Sequence, residues 1–394
     1  MKEFGRKPYL ASGMTYLEMM KAVPESAVAN EGGVFQRASW KKPYKTEGKN
    51  LEEMMHYFDS SQRKLTGNYI PLEGDPYFVQ RVEFPEITIP SVITVYPPWV
   101  KQTDYTGSEG GGRVCASVNN KIYIIWLRSA NSGTMYEYDP IADTWTSKSP
   151  YPGDANTFQV ATGCNGKIYC GTGLLDDGET PTDEWYEYTP TTDSWVEKTN
   201  FGGGSKHSGV AVSTSTKVYV GLGSDGGSRK KDWWEYDPDA DGWTAKTDYG
   251  GSATANTSAF CVNDKIYTGM GTGSGGNYYH DWWEYDPVEN SWTEKAEFPG
   301  SDYPTDGRYL FAGGVTSTKI YLGSGYATTP LRYMQDWWEY NPSNNQWTQK
   351  NVFPPGPRAG ACGGSANGNI YIGLGFYFYS GTLYSYKDWW EYTP

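Results

Sequence analysis

The sequence predicts an all-β fold made of six repeated four-stranded units, and three recurring motifs in its 394 residues carry that expectation. The tripeptide Lys-Ile-Tyr or a close variant starts at Lys121, Lys167, Lys217, Lys265, Lys319 and, as Asn-Ile-Tyr, at Asn369. A second motif, Trp-Trp-Glu-Tyr-Asp-Pro in its fullest form, places its glutamate at Glu137, Glu187, Glu235, Glu284, Glu339 and Glu391. A third, Trp-x-x-Lys, begins at Trp145, Trp195, Trp243, Trp292 and Trp347. Self-similarity with a period near 50 residues marks a repeat architecture in which each unit is one supersecondary element.

The spacings separate rigid parts from variable ones. From the motif glutamate to the following tryptophan is 8 residues in all five units, and from that tryptophan to the next Lys-Ile-Tyr is 22 in four of five. The stretch between Lys-Ile-Tyr and the glutamate instead varies from 16 to 22, so insertions collect in one loop.

Each unit reads as four strands. The first is a short apolar stretch such as residues 260–262, closed by an Asn-Asp or Asn-Gly pair whose readiness for positive φ suits a two-residue hairpin. The second is Lys-Ile-Tyr-x-Gly-x-Gly and the third Trp-Trp-Glu-Tyr. An Asp-Pro-x-x-Asp turn, with φ set by proline and carboxylates capping the backbone, leads into the Trp-x-x-Lys strand. The run Asp237, Asp239, Asp241 is therefore expected to be turn chemistry and not a calcium site. Doubled tryptophans alternate across a strand covered on both faces, so they are expected to pack between units. The repeated glutamate is expected to bond with Lys148, Lys198, Lys246, Lys295 and Lys350 of the neighbouring strand.

A unit of about 50 residues with four strands resembles the blade of the kelch-repeat superfamily. Gly221 and Gly223, or Gly269 and Gly271, stand where that family has a glycine pair, while the first unit has residues 124–127 instead. The resemblance covers residues 97–394 and implies a six-bladed kelch-type β-propeller. The sixth unit has no Trp-x-x-Lys strand after Asp388. Trp99-Val-Lys-Gln-Thr-Asp-Tyr105 resembles the stretch from Trp243 to Tyr249, and Trp99 lies 22 residues before Lys121. The Trp99 region is thus expected to supply the outer strand of blade 6 and close the ring.

Residues 1–96 contain no repeat and hold 12 basic against 12 acidic residues, so the formal charge of −13 belongs to the repeats. Two helices are expected, at 15–22 and 50–64, the latter capped by Asn50 with Glu52 and Glu53 in its first turn. The remainder is extended and spaced by proline, which suits an assembly or docking arm on the propeller or on neighbouring subunits.

Composition excludes several classes. The most apolar stretch, 87–100, is broken by Pro90, Pro97 and Pro98, so no membrane insertion is expected. No apolar core follows the first basic residues, and synthesis in the cytoplasm without a signal peptide is expected. The five cysteines are odd in number and unpaired in spacing, which points to reduced core residues. His56, His207 and His280 are too few and too scattered for a metal cluster or a hydrolase triad, and the copper oxidases that share the kelch fold need histidines this pattern lacks. No cofactor, metal or catalytic residue is expected, and an acidic propeller repels nucleic acid.

Function is expected where the units differ. The variable loops 225–231, 273–280, 327–334 and 376–386, with 299–308, should share one face. Arg229, Tyr278, Tyr279, His280, Tyr333, Tyr377 and Tyr379 there suit sugar stacking or protein contact, or pack loop on loop. Eleven residues before three Lys-Ile-Tyr positions stand Lys206, Arg308 and Arg358, with His207 adjacent. These are expected either to bind a carboxylate at the channel mouth or to bond between blades. The expected function is a non-catalytic binding or structural propeller. Its arm would anchor it to protein neighbours, as in a phage virion appendage or decoration protein, and its loop face would meet a cell-surface glycan or protein. Sialate mutarotases resemble the blade pattern, which makes a sugar-acid enzyme one alternative; a cytosolic interaction hub is the other.

Overall fold

The computed structural model describes residues 98–108, 113–126, 134–154, 157–300, 307–328 and 331–394. The arm, with its two expected helices and His56, lies outside the described residues. Pro98–Pro394 forms one unit.

That unit is all-β. Six four-stranded antiparallel sheets follow one another, and the only helix among the described residues is the single 3-10 turn Ser274–Gly276. Sheet 1 comprises Val114–Val118, Lys121–Trp126, Thr134–Asp139 and Thr144–Lys148. Sheet 2 comprises Val160–Cys164, Lys167–Leu174, Pro181–Thr189 and Ser194–Glu197. Sheet 3 is Val210–Ser213, Val218–Gly221, Trp233–Asp237 and Gly242–Lys246, and sheet 4 is Ser258–Val262, Lys265–Gly269, Trp282–Asp286 and Ser291–Glu294. Sheet 5 is Ala312–Val315, Ile320–Gly323, Trp337–Asn341 and Gln346–Lys350. Sheet 6 takes Cys362–Ala366, Asn369–Gly373 and Trp389–Tyr392 from the end of the chain and Trp99–Gln102 from before sheet 1. The register runs Trp99 opposite Tyr392 to Gln102 opposite Trp389, as the motif spacing predicts.

Hydrogen bonds of the motif side chains tie each sheet to the next. The outer-strand indole N–H donates to a backbone carbonyl just beyond the preceding outer strand: Trp195 to Ser149, Trp243 to Thr199, Trp292 to Thr247 and Trp347 to Ala296, all at 2.9–3.0 Å. The series continues through the sheet that joins the two chain ends, with Trp99 donating to Asn351 at 3.2 Å and Trp145 to Thr103 at 3.0 Å. The innermost strands pack in the same order, and Cys362–Ala366 of sheet 6 meets Val114–Val118 of sheet 1. This arrangement is propeller-like.

Between sheets the packing is aromatic. Trp233, Trp282, Trp337 and Trp389, the first of each doubled pair, and Trp185, which precedes Tyr186, are fully buried. Each makes a T-shaped contact with the outer tryptophan of the next sheet, at 5.0–5.4 Å between ring centroids. Edge-to-face pairs of this kind contribute about 0.5–1.5 kcal/mol beyond their burial.

The motif glutamate is a hub for its own sheet. It accepts from the tyrosine of Lys-Ile-Tyr, as Tyr267 to Glu284 at 2.7 Å and Tyr321 to Glu339 at 2.8 Å. It also pairs with the outer-strand lysine in four sheets: Lys148 with Glu137, Lys246 with Glu235, Lys295 with Glu284 and Lys350 with Glu339. Sheet 2 differs, because Lys198 turns to Asp241 of sheet 3 and Glu187 takes Lys167. Asp237 accepts the N–H groups of Asp239 and Ala240, and Asp241 takes the Tyr236 hydroxyl, so that aspartate run is turn chemistry.

Candidate functional site

In sheets 3 to 6 the second strand is followed by a residue held at positive φ, such as Leu222 at 58° and Met270 at 60°, and then by a glycine, Gly223 at 84° and Gly271 at 91°. The N–H of Leu222 or Met270 then donates to the carbonyl of Asp232 or Asp281, turning the chain into the variable loop. Left-handed backbone at a non-glycine residue is strained, and here it aims the loops of successive sheets.

Beneath the loops, the three basic residues singled out by spacing are buried, Lys206 to 1%, Arg308 to 2% and Arg358 to 0% exposure. The carboxylate each one binds comes from the chain itself. Lys206 Nζ lies 2.8 Å from both oxygens of Asp232, Arg308 reaches Asp336 at 2.6 and 2.9 Å, and Arg358 reaches Asp388 at 2.6 and 3.0 Å. Each aspartate also accepts an indole N–H, from Trp234, Trp338 or Trp390. Each cation sits 4.7–4.8 Å from the ring centre of Phe201, Phe298 or Phe353. Burial pushes the Lys206 ammonium below its ordinary pKa, and Asp232 opposes that shift.

Sheet 4 fills the same slot without a cation. Thr254 stands at the basic position and donates to the Met270 carbonyl at 2.9 Å, the bond Arg358 makes to Leu374 at 2.9 Å. Tyr249 replaces the phenylalanine and donates its hydroxyl to Asp281 at 3.1 Å. Burial holds the Asp281 carboxyl above the usual aspartate range, against the bonds from Tyr249, Trp283 and the Met270 N–H. In sheet 2 the pair is Tyr151 and Glu184, at 2.8 Å.

The other expected site residues lie above this layer. A cleft of about 490 Å³ opens between the loops of sheets 3 and 4, and Arg229 and Tyr278 both line it. Ser224, Asn256, Thr272, Asn277 and Tyr309 complete its polar wall. Arg229 makes no ion pair among the described residues, whereas Lys230 beside it is paired with Asp225. His207 is half-buried with Nδ1 3.0 Å from Ser208 Oγ, and its pKa is lowered by burial and by the charge of Arg229. His280 pairs with Glu297 at 3.3 Å, and Tyr279 packs against Gly273, so neither joins Arg229 in the cleft.

From the cleft a run of aromatic rings crosses the loops of sheets 4, 5 and 6. Tyr278 stacks on Tyr309 with ring centroids 5.5 Å apart, Tyr309 on Tyr326 at 5.4 Å, and Tyr326 meets Tyr333 at 4.2 Å. Tyr333 contacts Tyr377 at 4.8 Å, and Tyr377 stacks with Tyr379 at 6.1 Å. Strand pairing sets the spacing: Tyr326 lies opposite both Tyr309 and Tyr333 in the small sheet of Arg308–Tyr309, Tyr326–Thr328 and Leu331–Tyr333. The hairpin Phe376–Tyr379 with Thr382–Ser385 ends the run and exposes Phe378, Tyr379, Leu383 and Tyr384. Burial raises the Tyr309 hydroxyl to about 12.

Sequence reasoning confined to the longest insertions missed Asn256, Thr272, Tyr309 and Tyr326. A usable signal was present for Tyr309, which directly follows the basic residue of its unit. The cleft's polar groups can donate and accept hydrogen bonds beside stacked rings. No group of three metal-ligating side chains occurs among the described residues, and no helix there is long and apolar enough to cross a membrane.

No family model matches the chain, and no curated protein matches it. Among solved structures it is similar to that of YjhT, with a TM-score of 0.61 and 17% sequence identity, covering 73% of this chain and 96% of that one. At that identity the likeness shows the fold alone.

Proposed function

We propose that residues 97–394 form a six-bladed kelch-type propeller, closed by the Trp99 strand, that acts as a non-catalytic glycan-recognition module. The cleft carries this reading: a stacked tyrosine pair, a guanidinium with no ion pair among the described residues and the side chains of Asn256, Thr272 and Asn277 surround a volume suited to one or two sugar rings. Rigid aromatic area supplies contact while amides and hydroxyls read the hydroxyl pattern. Residues 1–96, neutral and without repeats, are proposed to attach the propeller to neighbouring proteins, a virion appendage being one such assembly.

A glycan array probed with the full chain tests the recognition step. Binding to a defined set of glycans, weakened at least tenfold by Tyr278→Ala with unchanged melting, is the expected result. An array that stays blank, or binding indifferent to Tyr278→Ala, overturns it. The alternative is a sialate mutarotase-like sugar-acid enzyme, and acceleration of anomer exchange in N-acetylneuraminate, followed by NMR, would decide for it. That alternative needs basic side chains other than Lys206, Arg308 and Arg358, which already hold aspartates.

A further inference from the structure

Two of the five cysteines meet where the chain ends meet. Cys115 lies on the innermost strand of sheet 1 and Cys362 on that of sheet 6, and these strands pack side by side. The register between them is fixed by Ser365 N–H donating to Ser117 Oγ at 3.0 Å and Asn367 N–H to Asn120 Oδ1 at 3.1 Å. Cys362 belongs to the buried cluster of this seam, and the half-buried Cys115 packs against that cluster. Burial and the neighbouring Cys362 hold the Cys115 thiol well above its ordinary pKa, against the Gly363 backbone. Cys164 and Cys170 lie on sheet 2 and Cys261 on sheet 4, and all three belong to other clusters. Arg113 and the Cys115 thiol both favour the Cys362 thiolate, while burial raises the Cys115 thiol.

We propose that Cys115 and Cys362 are an oxidative modification site: a dithiol that a disulfide-type oxidant converts to a disulfide across the seam between the first and last sheets. The Cys362 thiolate attacks one sulfur of oxidised glutathione and expels one glutathione thiolate. Cys115, on losing its proton, then attacks Cys362 Sγ in the mixed disulfide and expels the second. Two protein thiols are oxidised and one glutathione disulfide is reduced to two glutathiones, so atoms and electrons balance. The bond would close a loop through nearly the whole ring, the circumstance in which a crosslink restricts the unfolded chain most. The main chain passes from sheet 6 to sheet 1 through Trp99–Gln102, which is joined to the C-terminal strands of sheet 6 by strand pairing, so a bond from Cys115 to Cys362 converts a ring held by that pairing into one that cannot open.

The full chain, purified reduced and incubated with oxidised glutathione, tests this. Thiol counting after denaturation should fall from five to three, the intact mass should drop by two hydrogens, and proteolysis should yield one crosslinked peptide holding Cys115 and Cys362. The apparent melting temperature should rise by roughly 5–10 °C and fall back on reduction. Cys261→Ser should form the same crosslink as the parent, and Cys115→Ser should form no crosslink and should retain glutathione on Cys362, which has lost its resolving thiol. For the parent chain, five free thiols after oxidation, a stable glutathione adduct on either cysteine, a crosslink elsewhere, or a bond that leaves melting unchanged would each overturn the proposal. Peptide mapping of the unmutated chain decides the matter even if Cys115→Ser does not fold.

Discussion

Sheets 5 and 4 solve one packing problem in two ways. At the slot feeding sheet 5, Phe298, Arg308 and Asp336 form a buried stack in which the guanidinium lies against the ring and forks onto the carboxylate. At the slot feeding sheet 4, Tyr249 and Thr254 divide the same bonds between them: the tyrosine hydroxyl meets the acid and the threonine meets the carbonyl. The rule extends around the unit. Phenylalanine accompanies the cation at Phe201, Phe298 and Phe353, and tyrosine accompanies its absence at Tyr151 and Tyr249, while at Tyr105 the Arg113 guanidinium lies 5.5 Å from the ring centre. One phenolic oxygen thus replaces a whole charged side chain, at the cost of leaving a buried acid without a counter-charge.

The largest effect should come from breaking the ionic version. Arg308→Ala strands Asp336 in a buried site and is expected to lower stability by about 3–5 kcal/mol, read from urea unfolding. A loss below about 1 kcal/mol would show that Asp336 escapes to water. Next comes the phenolic version. Tyr249→Phe should cost about 1–2 kcal/mol by removing one donor from a buried carboxyl. Adding Thr254→Arg to it rebuilds the composition of sheet 5, and the double variant should recover most of that loss. Additivity of the two changes would refute the equivalence of the slots.

The smallest effect is a slope. Because burial raises the folded-state pKa of Asp281, the folded chain holds that proton more tightly than the unfolded chain. Its contribution is therefore complete below the unfolded aspartate pKa of about 3.9 and is lost as pH rises through the folded value. Asp281→Asn removes this titration, so its stability relative to the parent should climb with pH across that window and stay flat above it. A pH-independent difference would place Asp281 among the ordinary carboxylates.

Much of this was readable in the chain. The periods of Lys-Ile-Tyr and Trp-x-x-Lys placed every four-stranded sheet, and the 22-residue spacing from Trp99 to Lys121 placed the strand that joins the ends. The slot chemistry was half legible. Lys206, Arg308 and Arg358 stood out by position, but their partners Asp232, Asp336 and Asp388 sit three residues before a motif glutamate that drew the attention instead. Contacts set by three-dimensional closure left no trace in spacing. Cys115 and Cys362 stand 247 residues apart, and only the meeting of the first and last sheets makes them neighbours. The tyrosine run is equally hidden, since Tyr309, Tyr326 and Tyr333 come together through a small sheet with no repeat of its own.

The outer strand Trp99–Gln102 has a mechanical consequence. Among the described residues it pairs only with Trp389–Tyr392, and Thr393 N–H closes the pair by donating to the Pro98 carbonyl at 2.8 Å. Any tension transmitted through the residues before Pro98 is delivered first to this strand and to the Trp99 ring lodged among Trp337, Phe353 and Tyr392. The strand is thus a tether point, and its hydrogen bonds set the force at which the molecule would begin to unravel.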